Sequence, residues 1–164
     1  MTNVSLNSHL NCVSQALEAG HEVSVLARTP SKQALENSKL TVIQGDIADA
    51  EKVEQVVADS EAVKSVLGPT QNKPEYMVSQ GIDHIIAAMD KNGIRRLVVS
   101  AGAGVAEPND DPKFINKVFG LLIRTLSRYV YEDMIRTIDA VRATDLDWII
   151  VRTPRLTDDP VKVM

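Results

Sequence analysis

Short runs of β-branched and apolar residues alternate with helix-patterned segments along most of the chain, and no other feature restricts the fold as much. EVSVL at 22–26, LTVIQGDI at 40–47, AVKSVLG at 62–68, RRLVVS at 95–100 and DWIIVR at 147–152 read as strands. The segments between them carry apolar residues at helical spacing. Strand, helical crossover and next strand in series close a parallel sheet with helices on its faces. The expected class is therefore α/β: a doubly wound parallel sheet in a three-layer αβα arrangement. No repeat, low-complexity run or linker interrupts the series, so residues 1–164 are read as one domain.

Local chemistry marks the element ends. Leu10, Val13 and Leu17 recur at helical spacing and Gly20 stops that helix. Thr29-Pro30 reads as the start of a helix continued by SKQALENS, with proline at the first helical position. Asp49 is placed to cap a helix over Ala50–Ala58, whose apolar stripe is Val53, Val56 and Val57. The next helix spans about 75–91, with Met77, Ile82, Ile85, Ile86 and Met89 facing inward and Gly93 as terminator. AEPNDDPK is too polar and turn-rich for regular structure, and the helical tract at 114–143 is long enough for two helices or one bent one. TPRLTDDPVKVM reads as an extended tail.

Composition excludes several function classes. Eighteen basic against twenty-two acidic residues give a net charge of -4, which offers no general attraction to nucleic acid or anionic membrane. Cys12 is the sole cysteine, so no intramolecular disulfide is expected and a reducing cytoplasm fits best. The N-terminus lacks a signal-peptide pattern, and no run reaches the roughly 18 apolar residues of a membrane span, so a soluble, unprocessed chain is expected. His9, His21 and His84 have no metal-ligand spacing, and no metal is expected. Ser100 in SAGAG lacks the G-x-S-x-G of a hydrolase elbow.

The segments ALEAGHEVSVLARTPSK (16–32), LTVIQGDIAD (40–49), GIRRLVVSAGAG (93–104) and LDWIIVRTPRLTD (146–158) together resemble the atypical short-chain dehydrogenase/reductase group. That group includes NmrA-like proteins and the NADPH-using biliverdin and flavin reductases. The likeness is colinear over about residues 10–160. It implies a Rossmann-like NAD(P)-binding domain with strand order 3-2-1-4-5-6, NADPH as cofactor and a small-molecule acceptor such as a flavin or quinone. The resemblance fails at the start. The family's first strand leads into G-x-x-G-x-x-G, whose glycines let backbone N–H groups reach the pyrophosphate. Counted back without gaps, those positions fall on Asn3, Leu6 and His9. Either no first strand exists, or Asn3–Leu6 forms a short one with the loop deleted. The second is the favoured expectation, because a central strand is hard to lose. In both cases dinucleotide binding is expected to be weak.

Carried onto this sequence, the resemblance implies a set of cofactor contacts. Arg28, first polar residue after the 22–26 strand, stands where a cation selects the 2′-phosphate of NADP, with Ser31 and Lys32 beside it. Asp46 and Ile47 fall near the adenine, although Asp46 serves equally well as a turn cap. Gly68 would let the cofactor pass close to the backbone, and Ser100 with Ala101 would border the nicotinamide. Strand-end turn chemistry explains these three equally. The Y-x-x-x-K pair of typical short-chain dehydrogenases is absent: Tyr129 is followed at that spacing by Asp133, and Tyr131 by Ile135. Met134 falls where the biliverdin and flavin reductase branch carries a pocket histidine, and is read as pocket wall or core. No catalytic residue is assigned. Three readings stand: an NADPH-dependent oxidoreductase, a non-catalytic NmrA-like module that senses a dinucleotide or binds a partner, or an abbreviated reductase without activity. The sequence leaves the oligomeric state open.

Overall fold

A computed structural model describes residues 4–30, 35–68, 71–102 and 127–153. Five strands and four helices follow in the order α1 (Val4–Glu18), β1 (Val23–Ala27), β2 (Leu40–Gln44), α2 (Ala50–Val57), β3 (Ala62–Ser65), α3 (Met77–Asn92), β4 (Arg96–Gly102), α4 (Arg128–Arg142) and β5 (Asp147–Thr153). Every pairing is parallel: β1 with β2, β3 with β4, and β4 with β5. The alternating pattern thus gives the expected α/β architecture.

The described strands form two sheets rather than one, β1-β2 and β3-β4-β5. Set on the Rossmann order 3-2-1-4-5-6, they fill positions 2 and 3 on one side and 4, 5 and 6 on the other, so the position between belongs to the first strand. The expectation of a short Asn3–Leu6 strand is overturned, since α1 begins at Val4 and takes Val4–Leu6 into a helix. The physical reason is connectivity. A strand ending at Leu6 leaves too few residues to turn back before the apolar period at Leu10, whereas extending that helix backward satisfies its backbone internally.

The helix ends follow their chemistry. Asp49 caps α2 by accepting from the N–H groups of Glu51 and Lys52. Gly20 (φ +90°) and Gly93 (φ +69°) end α1 and α3 in the left-handed conformation. Each closes a Schellman pair, with His21 N–H on the Ala16 carbonyl and Ile94 N–H on the Met89 carbonyl. The helix expected from Pro30 onward does not reach Leu35. Leu35–Asn37 are not helical, and Asn37 instead accepts the Lys39 N–H in a turn. The rest of that segment, Ser31 and Lys32 included, lies outside the described residues, as do AEPNDDPK, the helical tract before residue 127 and the tail from residue 154.

A single apolar cluster joins the two sheets. Val53 and Val57 of α2, Ile82, Ile85 and Met89 of α3, Leu97 and Val99 of β4 and Val141 of α4 are buried in it. Leu26 of β1 and Val63 of β3 pack against its edge. Because β1, not β2, reaches this cluster beside β3, the unpaired edge of β1 is the one turned toward β3. Gly81 sits mid-helix because α3 approaches the chain after β2 so closely that a Cβ there would collide with Ile47. Among the described residues, no helix is long and apolar enough to cross a membrane.

Candidate functional site

Parallel strands put all their C-terminal ends on one rim, and ligands of open α/β sheets bind outside that rim. Arg28 follows β1, Asp46 and Ile47 follow β2, Gly68 follows β3, and Ser100 and Ala101 lie near the C-terminal end of β4. Topology therefore gathers six of the expected positions along one edge. Helix α1 runs antiparallel to β1, so its first turn rises at the same rim.

Arg28 and Asp46 are neighbours, with Nε 4.0 Å from Oδ2 and side chains 64% and 43% exposed. At that distance in water the attraction is weak, and it does not lock the guanidinium. The other Asp46 oxygen, Oδ1, accepts the Ala48 N–H, and the Asp46 carbonyl accepts the Asp49 N–H. Asp46 thus closes the turn that starts α2 and also faces Arg28. Ile47 is held from behind, where the His84 ring nitrogen Nδ1 lies 2.9 Å from its carbonyl oxygen. His84 is committed to this backbone contact, and among the described residues no group of His, Cys, Asp and Glu is arranged to hold a metal.

A Cβ built on Gly68 would meet nothing within 4 Å, so protein packing does not require glycine there. Ala101 is buried against Ile138 of α4, with Met134, Ile135 and Ile150 around the pair. The structure brings Met134 beside the end of β4, as a wall of that small apolar cluster. Ser100 is half-buried and points to the opposite face of the sheet from Ala101.

The sequence reading missed a polar cluster on the same rim, where α3 and α4 begin. Asp133 is 5% exposed and takes two backbone N–H groups of α3, Ser79 on Oδ1 at 2.9 Å and Val78 on Oδ2 at 3.0 Å. It caps a helix other than its own. Tyr76, just before α3, has φ 47° and supplies no side-chain cap. Its hydroxyl donates to Glu132 at 3.0 Å, and the Arg136 guanidinium lies 3.9 Å from its ring centre. Glu132 also accepts from Arg128 Nε at 2.7 Å. The Arg128 hydrogen bond, then that of Tyr76, hold the Glu132 carboxyl below its ordinary range. The same Glu132 hydrogen bond raises the Tyr76 phenol. A signal was available: Glu75 and Tyr76, the residues before Met77, include no Ser, Thr, Asp or Asn to cap the helix, so an acceptor had to come from elsewhere.

Residues 10–163 match the NAD(P)H-binding family. The chain belongs to that family. Among solved structures it resembles a short-chain dehydrogenase/reductase of Veillonella parvula in complex with NADP, at 19% identity and a TM-score of 0.74, covering 92% of this chain and 66% of that one. A Rossmann-fold NAD(P)-binding protein from Shigella flexneri matches at 20% identity and a TM-score of 0.67, covering 95% and 65%. A Bordetella bronchiseptica enzyme in complex with NAD+ matches at 20% identity and a TM-score of 0.66, covering 90% and 51%. These likenesses establish the Rossmann fold. The chain spans less than two-thirds of the length of each of the three.

The fit to a dinucleotide is uneven along the rim. Arg28 offers a cation where a 2′-phosphate would sit, and the space beside Gly68 is open. Toward the pyrophosphate end, helix α1 contains no glycine between Val4 and Glu18. The first turn of α1 presents backbone donors without the close approach that glycines permit.

Proposed function

We propose that this chain binds NADPH in preference to NADH, and that it descends from, or acts as, an NADPH-dependent reductase of a small acceptor such as a flavin or quinone. The observation that carries the reading is the convergence of Arg28, Asp46, Gly68, Ser100 and Ala101 on one strand-end rim in a member of the NAD(P)H-binding family. A bound nicotinamide supplies hydride chemistry itself. The part assigned to the protein is holding and orientation. Arg28 receives the 2′-phosphate, Asp46 and Ile47 border the adenine, and the rim from Gly68 to Ser100 and Ala101 borders the remainder. Met134 walls the acceptor side and donates no proton.

The test is a pair of dissociation constants. A charge-assisted contact to phosphate contributes roughly 1.5–3 kcal/mol, about ten- to a hundredfold in affinity for NADPH over NADH. Arg28→Ala should erase most of that preference and leave NADH binding nearly unchanged. Equal wild-type affinities would remove Arg28 from the site.

A second reading is a non-catalytic NmrA-like module, and one observation favours it. The position where typical enzymes of this fold keep a lysine holds Asp133, which is buried and committed to capping α3. NADPH binding without NADPH oxidation in the presence of flavins or quinones would select this reading.

A further inference from the structure

We infer that Gly81 and His84 of α3 are positioning residues of the cofactor site. Together they seat the turn after β2, and so fix its adenine-side residues, Asp46 and Ile47, relative to Leu67 and Gly68 after β3. The role rests on the reading of that rim as a dinucleotide site. Two separate contacts carry it. His84 Nδ1 lies 2.9 Å from the Ile47 carbonyl oxygen, 37 positions away along the chain. A carbonyl oxygen only accepts, so Nδ1 carries the proton and donates it. One turn earlier on the same helix, a Cβ on Gly81 would collide with Ile47 Cγ1 and stand 3.2 Å from Leu67 Cδ1.

The backbone of α3 therefore lies against both rim segments at one point. Gly81 has no positive φ, so its conformation does not call for glycine, and alanine would favour the helix. Its missing side chain serves the close approach alone. Ile47 cannot step aside at little cost, because it is β-branched and stiff at χ1. Its Cγ2 is 3.4 Å from the same point, so rotation brings one branch in as the other leaves.

From Ile47 the constraint passes to the groups at the rim. Asp46 accepts the Ala48 N–H on Oδ1 and the Asp49 N–H on its carbonyl, which closes the turn into α2. With His84 on the next carbonyl, the carbonyls of Asp46 and Ile47 are both committed. The remaining oxygen, Asp46 Oδ2, faces Arg28. That pair is exposed and weak, so it does not hold the turn. Gly81 is buried and His84 and Ile47 are half-buried, and the grip on the turn comes from their side. A binding constellation keeps its geometry only where its supports are themselves locked.

The experiment separates the donor from the ring. His84→Phe keeps a ring and removes the N–H. His84→Asn removes the ring and keeps an N–H at the same number of bonds from Cα. In the full chain without ligand, amide exchange at Ala48 and Asp49 should accelerate roughly fivefold or more in His84→Phe and return toward wild type in His84→Asn. The ligands are NADPH and adenosine 2′,5′-bisphosphate, which carries the adenine half alone. Both dissociation constants should rise about five- to tenfold in His84→Phe and recover in His84→Asn. Gly81→Ala should weaken both ligands too, although alanine favours a helix. A merely structural contact would leave the affinity of the folded protein unchanged. Unaltered exchange at Ala48 and Asp49 in His84→Phe would overturn the seat itself. Equal affinities in wild type and His84→Phe, or no recovery in His84→Asn, would overturn its role in the site. If wild type binds neither ligand, the dinucleotide reading of the rim fails, and the positioning role falls with it; that result is read on the wild type alone.

Discussion

The two halves of the sheet are built from the same kind of unit and differ in how completely each is satisfied. In the β3-β4-β5 half, β4 is paired on both sides, over four residues with β3 and seven with β5. Leu97, near its start, is fully buried, with Ile82, Met89, Ile138 and Val141 from the two covering helices. Asp133 then fastens the start of α3 to α4. In the β1-β2 half, β1 has one partner among the described residues, Ala27 is its only buried residue, and the link to the core runs through Leu26 and α2. A parallel sheet of this kind is held together by its middle, and a strand paired on one side exposes or strands its remaining backbone groups. Such groups cost about 1–3 kcal/mol each when buried without a partner. Hence, among the described residues, the β1-β2 half is the less integrated one.

The most direct way to break this comparison is to truncate one leucine in each half. Leu97→Ala removes a fully buried side chain from between two helices and should cost about 2–5 kcal/mol of unfolding free energy. Leu26→Ala removes a partly buried one and should cost less than half as much. Urea unfolding followed by Trp148 fluorescence and circular dichroism measures both. Equal losses would mean that β1 is as firmly built in as β4.

Next in size is the tertiary cap. Asp133→Asn keeps the shape but leaves one amide oxygen where two carboxylate oxygens served Val78 and Ser79, and turns an NH₂ toward a backbone donor. A loss of roughly 1–3 kcal/mol is expected. Amide exchange should accelerate at Val78 and Ser79 first, while Ser24 and Leu26 do not change. If exchange rises equally in both halves, the two are one cooperative unit and the contrast drawn between them fails.

These contrasts also mark what the sequence could carry. Each described strand and helix was legible within a few residues because its period and its end signals are local: the Asp49 cap, the Gly93 stop, the Val53 and Val57 stripe. What failed was settled by competition between neighbouring segments. Val4 and Leu6 suit a strand, yet the helical period beginning at Leu10 propagates back over them, and only the topology decides. The rim positions from Arg28 to Ala101 were legible because parallel strand ends must share an edge. Asp133 and Tyr76 were not, since Asp133 lies 55 and 54 positions from the Val78 and Ser79 amides it caps, and spacing rules do not reach that far.

The smallest expected effect sharpens the comparison through pH, in the half that the polar cluster fastens. Glu132 is held below its ordinary value first by the Arg128 hydrogen bond and then by that of Tyr76. A carboxylate whose folded value is depressed contributes stability above its unfolded value and loses it as pH falls through the folded one. The Tyr76 phenol, raised above its ordinary 10.0 by the same partner, contributes below that value and loses its share as pH rises through the raised one. The cluster is therefore complete between the two limits. Its effect is modest, because the Glu132 side chain is 31% exposed and water screens the pair. Glu132→Gln cannot ionise, so wild type should melt at a higher temperature than the variant near neutrality. That difference should shrink toward zero as pH drops below the ordinary carboxylate range of about 4. Melting curves of the two proteins across that interval test it. A difference that stays constant with pH would show that Glu132 acts there through packing alone, and the fastening of α3 to α4 would then rest on Asp133.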